Sequence, residues 1–182
     1  MTRETTCCFT GHRPDKLPWG SREEDPRCRD LKGRIGAALE AAYGRGYRHF
    51  ICGMARGCDF YFGEAVVALR RERPDVTLEA AIPCESQADR WRAEDRRRYH
   101  ALLDQCDLET VVQQRYTNWC MQRRDRYMVD RSGLLIAAYD GSTSGGTLYT
   151  LVYALRQGVE TEVLDVGGGP ICGSDQGKEK RT

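Results

Sequence analysis

The sequence lacks the features that mark membrane-spanning, secreted and strongly nucleic-acid-binding proteins. No apolar run among its 182 residues approaches the ~18 residues needed to cross a bilayer. The N-terminal segment has no apolar core of a secretory signal, so we expect a cytoplasmic protein. The formal net charge of +1 provides no overall basic excess for neutralising nucleic-acid phosphates. We therefore expect neither a membrane nor nucleic acid as a partner, and we leave homo-oligomerisation open.

Three familiar motifs are also missing. There is no Gly-Lys-Ser/Thr of a phosphate-binding P-loop and no GxGxxG of a dinucleotide-binding turn. No CxxC pair occurs, although the chain has nine cysteines. An odd number of cysteines without paired spacing is typical of free thiols in a reducing compartment. We accordingly expect no bound metal.

Short apolar runs alternate with helical patterns along most of the chain. This alternation predicts a Rossmann-like α/β fold, with three α/β/α layers and a mainly parallel sheet, in a single domain over residues 1–166. The glycine-rich, polar residues 167–182 are predicted to form a flexible C-terminal tail. The predicted strands cover residues 5–9, 49–52, 76–82, 109–112, 134–139 and 162–166. The predicted helices cover about 31–42, 58–73, 86–104, 118–131 and 147–156, and residues 15–29 are predicted to form a loop.

Three glycine-bearing turns follow predicted strands, at residues 10–14, 53–59 and 140–147. The carboxyl ends of parallel strands lie on one edge of a sheet, where ligands bind, so these turns should converge. In the third turn, Gly145, Gly146 and Thr147 stand where a helix begins. Glycines allow close approach of an anion, and the first helical N–H groups can bind it. The alternative is that the glycines only shape the turn and Thr147 only caps the helix.

Other polar residues of these turns are candidate ligand contacts. Arginine suits a phosphate, and histidine suits hydrogen bonding or proton transfer. The helix predicted at 118–131 has three arginines within four residues, of which at most one or two can face a site; Arg124 is the candidate. The complete candidate ligand-binding set is Gly11, His12, Arg13, Gly53, Gly57, Asp59, Arg124, Asp140, Gly145, Gly146 and Thr147.

Catalytic residues are not identified by the pattern, and three carboxylates remain as candidates: Asp59, Glu64 and Asp130. Asp59 stands at a helix start, where it could serve only as a partner of the helix dipole. Glu64 could equally be a solvated helix residue. Nothing in the sequence selects among the three.

Five motifs follow one another along the chain: TGHRP at 10–14, GMARGCD at 53–59 with Glu64, IPCESQADRW at 82–91, RRDRYMVD at 123–130 and YDGSTSGGT at 139–147. Their order and spacing resemble those of the SLOG superfamily, in particular its YpsA/YspA-like branch. The superfamily also includes the DNA-processing protein DprA and the cytokinin-activating LOG proteins. The resemblance spans about residues 6–166.

This resemblance implies a nucleotide or ADP-ribose-like ligand at the glycine-rich turns, with no cofactor that is certain. LOG proteins have PGGxGTxxE, whose glutamate supports cleavage of an N-glycosidic bond in a nucleoside monophosphate. Here the position three after Thr147 is Thr150, whose side chain we expect to face the pocket without supplying a carboxylate. We therefore expect binding or sensing of a nucleotide-derived ligand. The alternatives are a LOG-like phosphoribohydrolase and a DprA-like single-strand DNA binder.

Overall fold

A computed structural model describes residues 2–166; the tail predicted at 167–182 lies outside them. Strands and helices alternate throughout the described part of the chain. The strands are β1 (Thr6–Gly11), β2 (His49–Cys52), β3 (Thr77–Ile82), β4 (Leu108–Val111), β5 (Leu134–Tyr139) and β6 (Glu160–Asp165). The α-helices are α1 (Pro26–Gly44), α2 (Cys58–Glu72), α3 (Ala93–Leu103), α4 (Cys120–Asp130) and α5 (Gly146–Arg156).

The six strands form one parallel sheet in the order β4-β3-β2-β1-β5-β6. Helices α1 and α2 pack together over one face, and α4 and α5 pack together over the other. The fold is therefore the predicted three-layer, Rossmann-like α/β/α arrangement. The winding direction changes between β1 and β5, and such a switch point opens a crevice beyond the carboxyl ends of the two strands.

The central strands are buried on both faces, which explains their continuous apolar sequences. Alternate residues of β1 belong to two separate core clusters: Cys7 and Phe9 face α1 and α2, whereas Cys8 faces α4 and α5. The Phe9 ring stacks on Phe62 of α2 with ring centroids 4.5 Å apart. This packing fixes the strand whose end carries the first glycine turn.

Two predicted helix boundaries were wrong. Helix α1 begins at Pro26, inside the predicted loop, because proline is favoured in the first helical turn and the Asp25 side chain accepts a hydrogen bond from the Arg27 N–H at 2.9 Å. Helix α3 begins at Ala93, because residues 86–91 form turns instead of a first helical segment.

Candidate functional site

A cleft of about 350 Å³ lies at the carboxyl edge of the sheet, at the switch point between β1 and β5. Gly11 ends β1, and His12 and Arg13 follow it into the cleft. Gly146 and Thr147 enter from the opposite side, at the start of α5. The first and third glycine turns, more than a hundred residues apart in sequence, therefore line one cavity.

The start of α5 offers unused backbone donors to this cleft. The first N–H groups of an α-helix have no acceptor within the helix, and no side chain caps α5. Gly145 before it has a φ of 120°, a conformation that favours glycine. By contrast, the N–H of Cys58 at the start of α2 donates to the His12 carbonyl at 3.1 Å. The open helix start beside the cleft is thus that of α5.

Two exposed basic side chains stand at the same cleft. Lys16 and Arg13 both line it, and neither makes an ion pair with any residue of the described chain. A Cβ atom placed on Gly145 would lie only 2.6 Å from the Lys16 Nζ, so the ammonium group closely approaches the turn before α5. An anion at the helix start would meet both the backbone donors and this charge.

His12 is held in a fixed orientation across the site. Its Nε2 lies 2.8 Å from the Asp140 Oδ1, and its Nδ1 lies 3.4 Å from the Thr147 Oγ1. This geometry suits a tautomer in which Nε2–H donates to the carboxylate and Nδ1 accepts from the hydroxyl. Partial burial works to raise the pKa of Asp140, but hydrogen bonds from Ser142 and His12 outweigh it and hold the pKa at about 2. Asp140 therefore stays ionised and orients the imidazole.

Arg124 is the one arginine of its cluster that turns into the protein. It is buried, and its Nη1 donates to the Gly53 carbonyl at 2.6 Å while its Nε donates to Asp125 Oδ1 at 2.8 Å. A Cβ on Gly53 would lie 1.8 Å from the Arg124 Nη1, so only glycine admits the guanidinium. Arg123 and Arg126 instead contact Gln113 and Tyr149.

Asp59 is a buried carboxylate that lines the cleft. Its Oδ2 accepts the Ala55 N–H at 3.1 Å. Burial raises the pKa of Asp59 to about 6, and the nearby Arg124 guanidinium opposes part of that rise. A carboxyl group that titrates near neutrality inside a cleft can bind a ligand donor or exchange a proton.

Of the predicted ligand contacts, seven line the cleft: Gly11, His12, Arg13, Asp59, Arg124, Gly146 and Thr147. The other four stand behind these residues. Gly53 receives Arg124, and Asp140 orients His12. Gly57 has a φ of 87° and allows the second turn to approach the His12 carbonyl, while Gly145 allows the approach of Lys16.

Two of the three candidate catalytic carboxylates lie outside the cleft. Glu64 accepts hydrogen bonds from Arg98 on α3, and Asp130 accepts one from Tyr153 at 2.8 Å. Thr150, expected at the pocket, does not line it either. Thr150 is fully buried, and its hydroxyl donates to the Gly146 carbonyl at 2.9 Å.

Lys16 is a cleft residue that the sequence analysis did not single out, because it lies in a segment predicted as an undifferentiated loop. The signal available was a basic residue three positions after Arg13 in the same connection. Gln87 was also passed over, although it lies within the IPCESQADRW stretch. Its side-chain amide donates to the Gly53 and Met54 carbonyls at 3.0 and 3.1 Å, which ties the segment before α3 to the second turn.

The described residues show neither a membrane-spanning helix nor a preformed metal site. No helix between residues 2 and 166 is long and apolar enough to cross a bilayer. Within the same range, no three His, Cys, Asp or Glu residues are grouped to hold a metal ion.

The fold and the cleft define a Rossmann-like α/β protein with a polar site at the carboxyl edge of its sheet. Its sequence matches the YspA SLOG family over residues 7–163, and the chain belongs to that family. Similar proteins include the UPF0398 protein YpsA of Bacillus subtilis (strain 168), 25% identical over 145 residues, which are 79% of this chain and 80% of that protein. A UPF0398 protein of Bacillus pumilus (strain SAFR-032) is 24% identical over 144 residues, covering 78% of this chain and 77% of the relative.

Solved structures with a similar fold include two DNA processing proteins A. The Streptococcus pneumoniae protein superposes with a TM-score of 0.58 at 15% identity, and the match covers 87% of this chain and 49% of the Streptococcus pneumoniae chain. The Helicobacter pylori protein was studied for its single-stranded DNA binding mode. It also superposes with a TM-score of 0.58, at 12% identity, and the match covers 88% of this chain and 65% of the Helicobacter pylori chain. The chain thus spans less than two thirds of either neighbour, and the likeness is one of fold.

Proposed function

We propose that the cleft binds a nucleotide or ADP-ribose-like ligand, with a phosphate placed against the start of α5. The observation that carries this proposal is the meeting of an uncapped helix start with the exposed cations Lys16 and Arg13 in one cavity. Backbone N–H groups and the helix dipole favour an anion at that point. The SLOG family membership supports a nucleotide-derived ligand over other anions of similar charge.

Binding or sensing accounts for the site better than hydrolysis does. Thr150 holds the position at which LOG proteins have a glutamate, and its side chain is turned onto the Gly146 carbonyl, away from the cleft. Of the three candidate carboxylates, Asp59 alone lines the cavity. Asp59 is a weak substitute for the missing glutamate, because the adjacent Arg124 guanidinium offsets the negative charge that would stabilise positive charge at a sugar carbon.

A thermal-shift screen tests the proposal directly. The probes are ADP-ribose, NAD, nucleoside monophosphates and cyclic dinucleotides, with sodium chloride matched for ionic strength. A ligand present at 100 times its dissociation constant should add about 2.7 kcal/mol to the free energy of unfolding. Stabilisation by at least one probe, confirmed by calorimetric titration, is the expected result. The absence of any shift across the panel at millimolar concentration would reject a nucleotide-derived ligand.

The hydrolase alternative depends on Asp59. Its pKa of about 6 leaves it partly protonated near neutrality, as a general acid would be. This alternative predicts release of free base from a nucleoside monophosphate, with the release lost in Asp59→Asn. Wild-type protein that binds the nucleotide and releases no base over many hours would favour the binding role.

Single-stranded DNA binding is the second candidate function. The Helicobacter pylori neighbour, which has the same fold, binds single-stranded DNA. The low net charge of this chain therefore does not exclude DNA as a ligand. The exposed aromatic residues Tyr116 and Trp119 favour it locally, since bases stack on such side chains. Binding of an unstructured oligonucleotide, with an affinity that falls steeply as salt rises, would support this candidate.

A further inference from the structure

A second cavity, of about 420 Å³, adjoins the cleft that holds the proposed phosphate site. Arg13 and Met121 line both cavities, and the Arg13 Nη2 lies 3.9 Å from the Met121 Sδ. The second cavity extends from this pair toward the segment before α3. The second cavity therefore begins where the first cleft ends. Two adjoining cavities of this kind could bind the two ends of an elongated ligand.

Gln87, which lines the second cavity, carries a buried side-chain acceptor without a partner among the described residues. The Gln87 Nε2 donates to the Gly53 and Met54 carbonyls, and only the NH₂ end of the amide can do so, which fixes the position of Oε1. The Gln87 Oε1 is buried and has no hydrogen-bond partner among the described residues. Gln87 as a whole is only 9% exposed. A buried acceptor without a donor is costly, so a donor supplied by a ligand would be strongly favoured.

Two aromatic side chains complete this cavity. Trp91 is a fixed wall, because its ring packs edge-on against Phe60 and Tyr99 at centroid distances of 6.0 and 5.3 Å. Tyr116 is 63% exposed and makes no ring contact with another aromatic residue in the described chain. An exposed ring at the mouth of a cavity provides a free face on which a planar heterocycle can stack.

We propose that this second cavity is a base subsite, which takes an amino-bearing heterocycle such as adenine from the ligand whose phosphate lies at α5. Tyr116 stacks on the heterocycle, Arg13 lies between base and phosphate, and the Gln87 Oε1 accepts an N–H of the amino group. This inference rests on the proposed function and narrows it to nucleotides with a hydrogen-bond donor on the base.

The stacking contact is tested by calorimetric titration of AMP and of ribose 5-phosphate, which lacks the base. Wild-type protein should bind AMP more tightly than ribose 5-phosphate. Tyr116→Ala should weaken AMP binding by about 5- to 150-fold and leave ribose 5-phosphate unaffected, whereas Tyr116→Phe should retain AMP affinity. Trp119→Ala is the matched control, because Trp119 is an equally exposed aromatic residue (66%) that does not line the cavity.

The acceptor is best tested on the ligand, because replacing Gln87 would also release the Gly53 and Met54 carbonyls. Purine riboside 5′-monophosphate, which lacks the amino group of AMP, should bind wild-type protein about tenfold more weakly than AMP does. Equal affinity for these two nucleotides would remove Gln87 from base recognition.

Failure of this subsite can be told apart from failure of the proposed function. AMP and ribose 5-phosphate binding equally well, with no effect of Tyr116→Ala, would retain the phosphate site and overturn the base subsite. No binding of either compound would overturn both. Loss of oligonucleotide binding in both Tyr116→Ala and Trp119→Ala, without AMP binding, would assign these rings to DNA instead.

Discussion

The buried carboxyl of Asp59 gives the protein a specific dependence of stability on pH. In the folded chain the pKa of Asp59 is about 6, against an ordinary value of 3.8. The folded state therefore holds this proton more tightly than the unfolded state does. As pH rises from about 4 to about 8, the free energy of unfolding should fall on account of this group by about 2.5 kcal/mol. Replacing Asp59 by asparagine removes the titration but keeps an oxygen to accept the Ala55 N–H.

Urea denaturation at pH 4, 6 and 8 measures the effect. The difference in unfolding free energy between Asp59→Asn and wild type should shift in favour of the variant by about 2.5 kcal/mol from pH 4 to pH 8. Asp15→Asn is the matched control, because it removes an exposed carboxylate that lines the same cleft. Parallel stability curves for Asp59→Asn and wild type would show that burial does not perturb this group.

Three further outcomes follow from the same contacts. Thr150→Glu should lower the free energy of unfolding by several kcal/mol and create no hydrolase activity. The substitution buries a carboxylate at the point where the Thr150 hydroxyl donates to the Gly146 carbonyl. Measurable release of free base by this variant would contradict the placement of Thr150 outside the cleft. Arg124→Ala should lower the free energy of unfolding in urea by about 3–5 kcal/mol, because it leaves the buried Asp125 carboxylate without its partner. A loss below about 1 kcal/mol would argue against a buried guanidinium. The buried cysteines Cys7, Cys8, Cys52 and Cys58 should alkylate slowly in native protein at pH 8 and completely once it is unfolded. Burial raises the pKa of each of these thiols, that of Cys8 to about 12, so rapid labelling of Cys8 in native protein would refute this.

Much of the fold could be predicted from local patterns. The bounds of β2 and β5 agree with prediction, because a strand buried on both faces appears as an uninterrupted apolar run that ends at a glycine or aspartate. The start of α1 differs from the prediction, because the polar, proline-containing segment before Leu31 predicts a loop, whereas Pro26 occupies the first helical turn. The charge pattern of residues 86–91 predicts a helix, whereas the structure has turns there, because Gln87 is held by its hydrogen bonds to the Gly53 and Met54 carbonyls.

The site was less accessible to prediction than the fold. The convergence of Gly11 and Gly146 follows from parallel topology alone. Which carboxylates reach the cleft depends on helix rotation, which the sequence does not reveal, so Asp59 could not be separated from Glu64. Lys16 enters the cleft through the path of an irregular connection, and Thr150 turns away because its hydroxyl finds a backbone carbonyl within its own helix.

Calorimetric titration of ADP-ribose into Gly146→Asp tests the central claim, an anion site at the start of α5. A Cβ on Gly146 meets no atom within 4 Å, so the substitution fits. A carboxylate at the start of a helix also interacts favourably with the helix dipole and stabilises the helix by about 0.3–1 kcal/mol, so the variant should fold. The account predicts that Gly146→Asp loses at least about 100-fold in affinity through charge repulsion, while the neutral isostere Gly146→Asn loses much less. Equal affinities in the two variants would place the phosphate elsewhere and contradict the account.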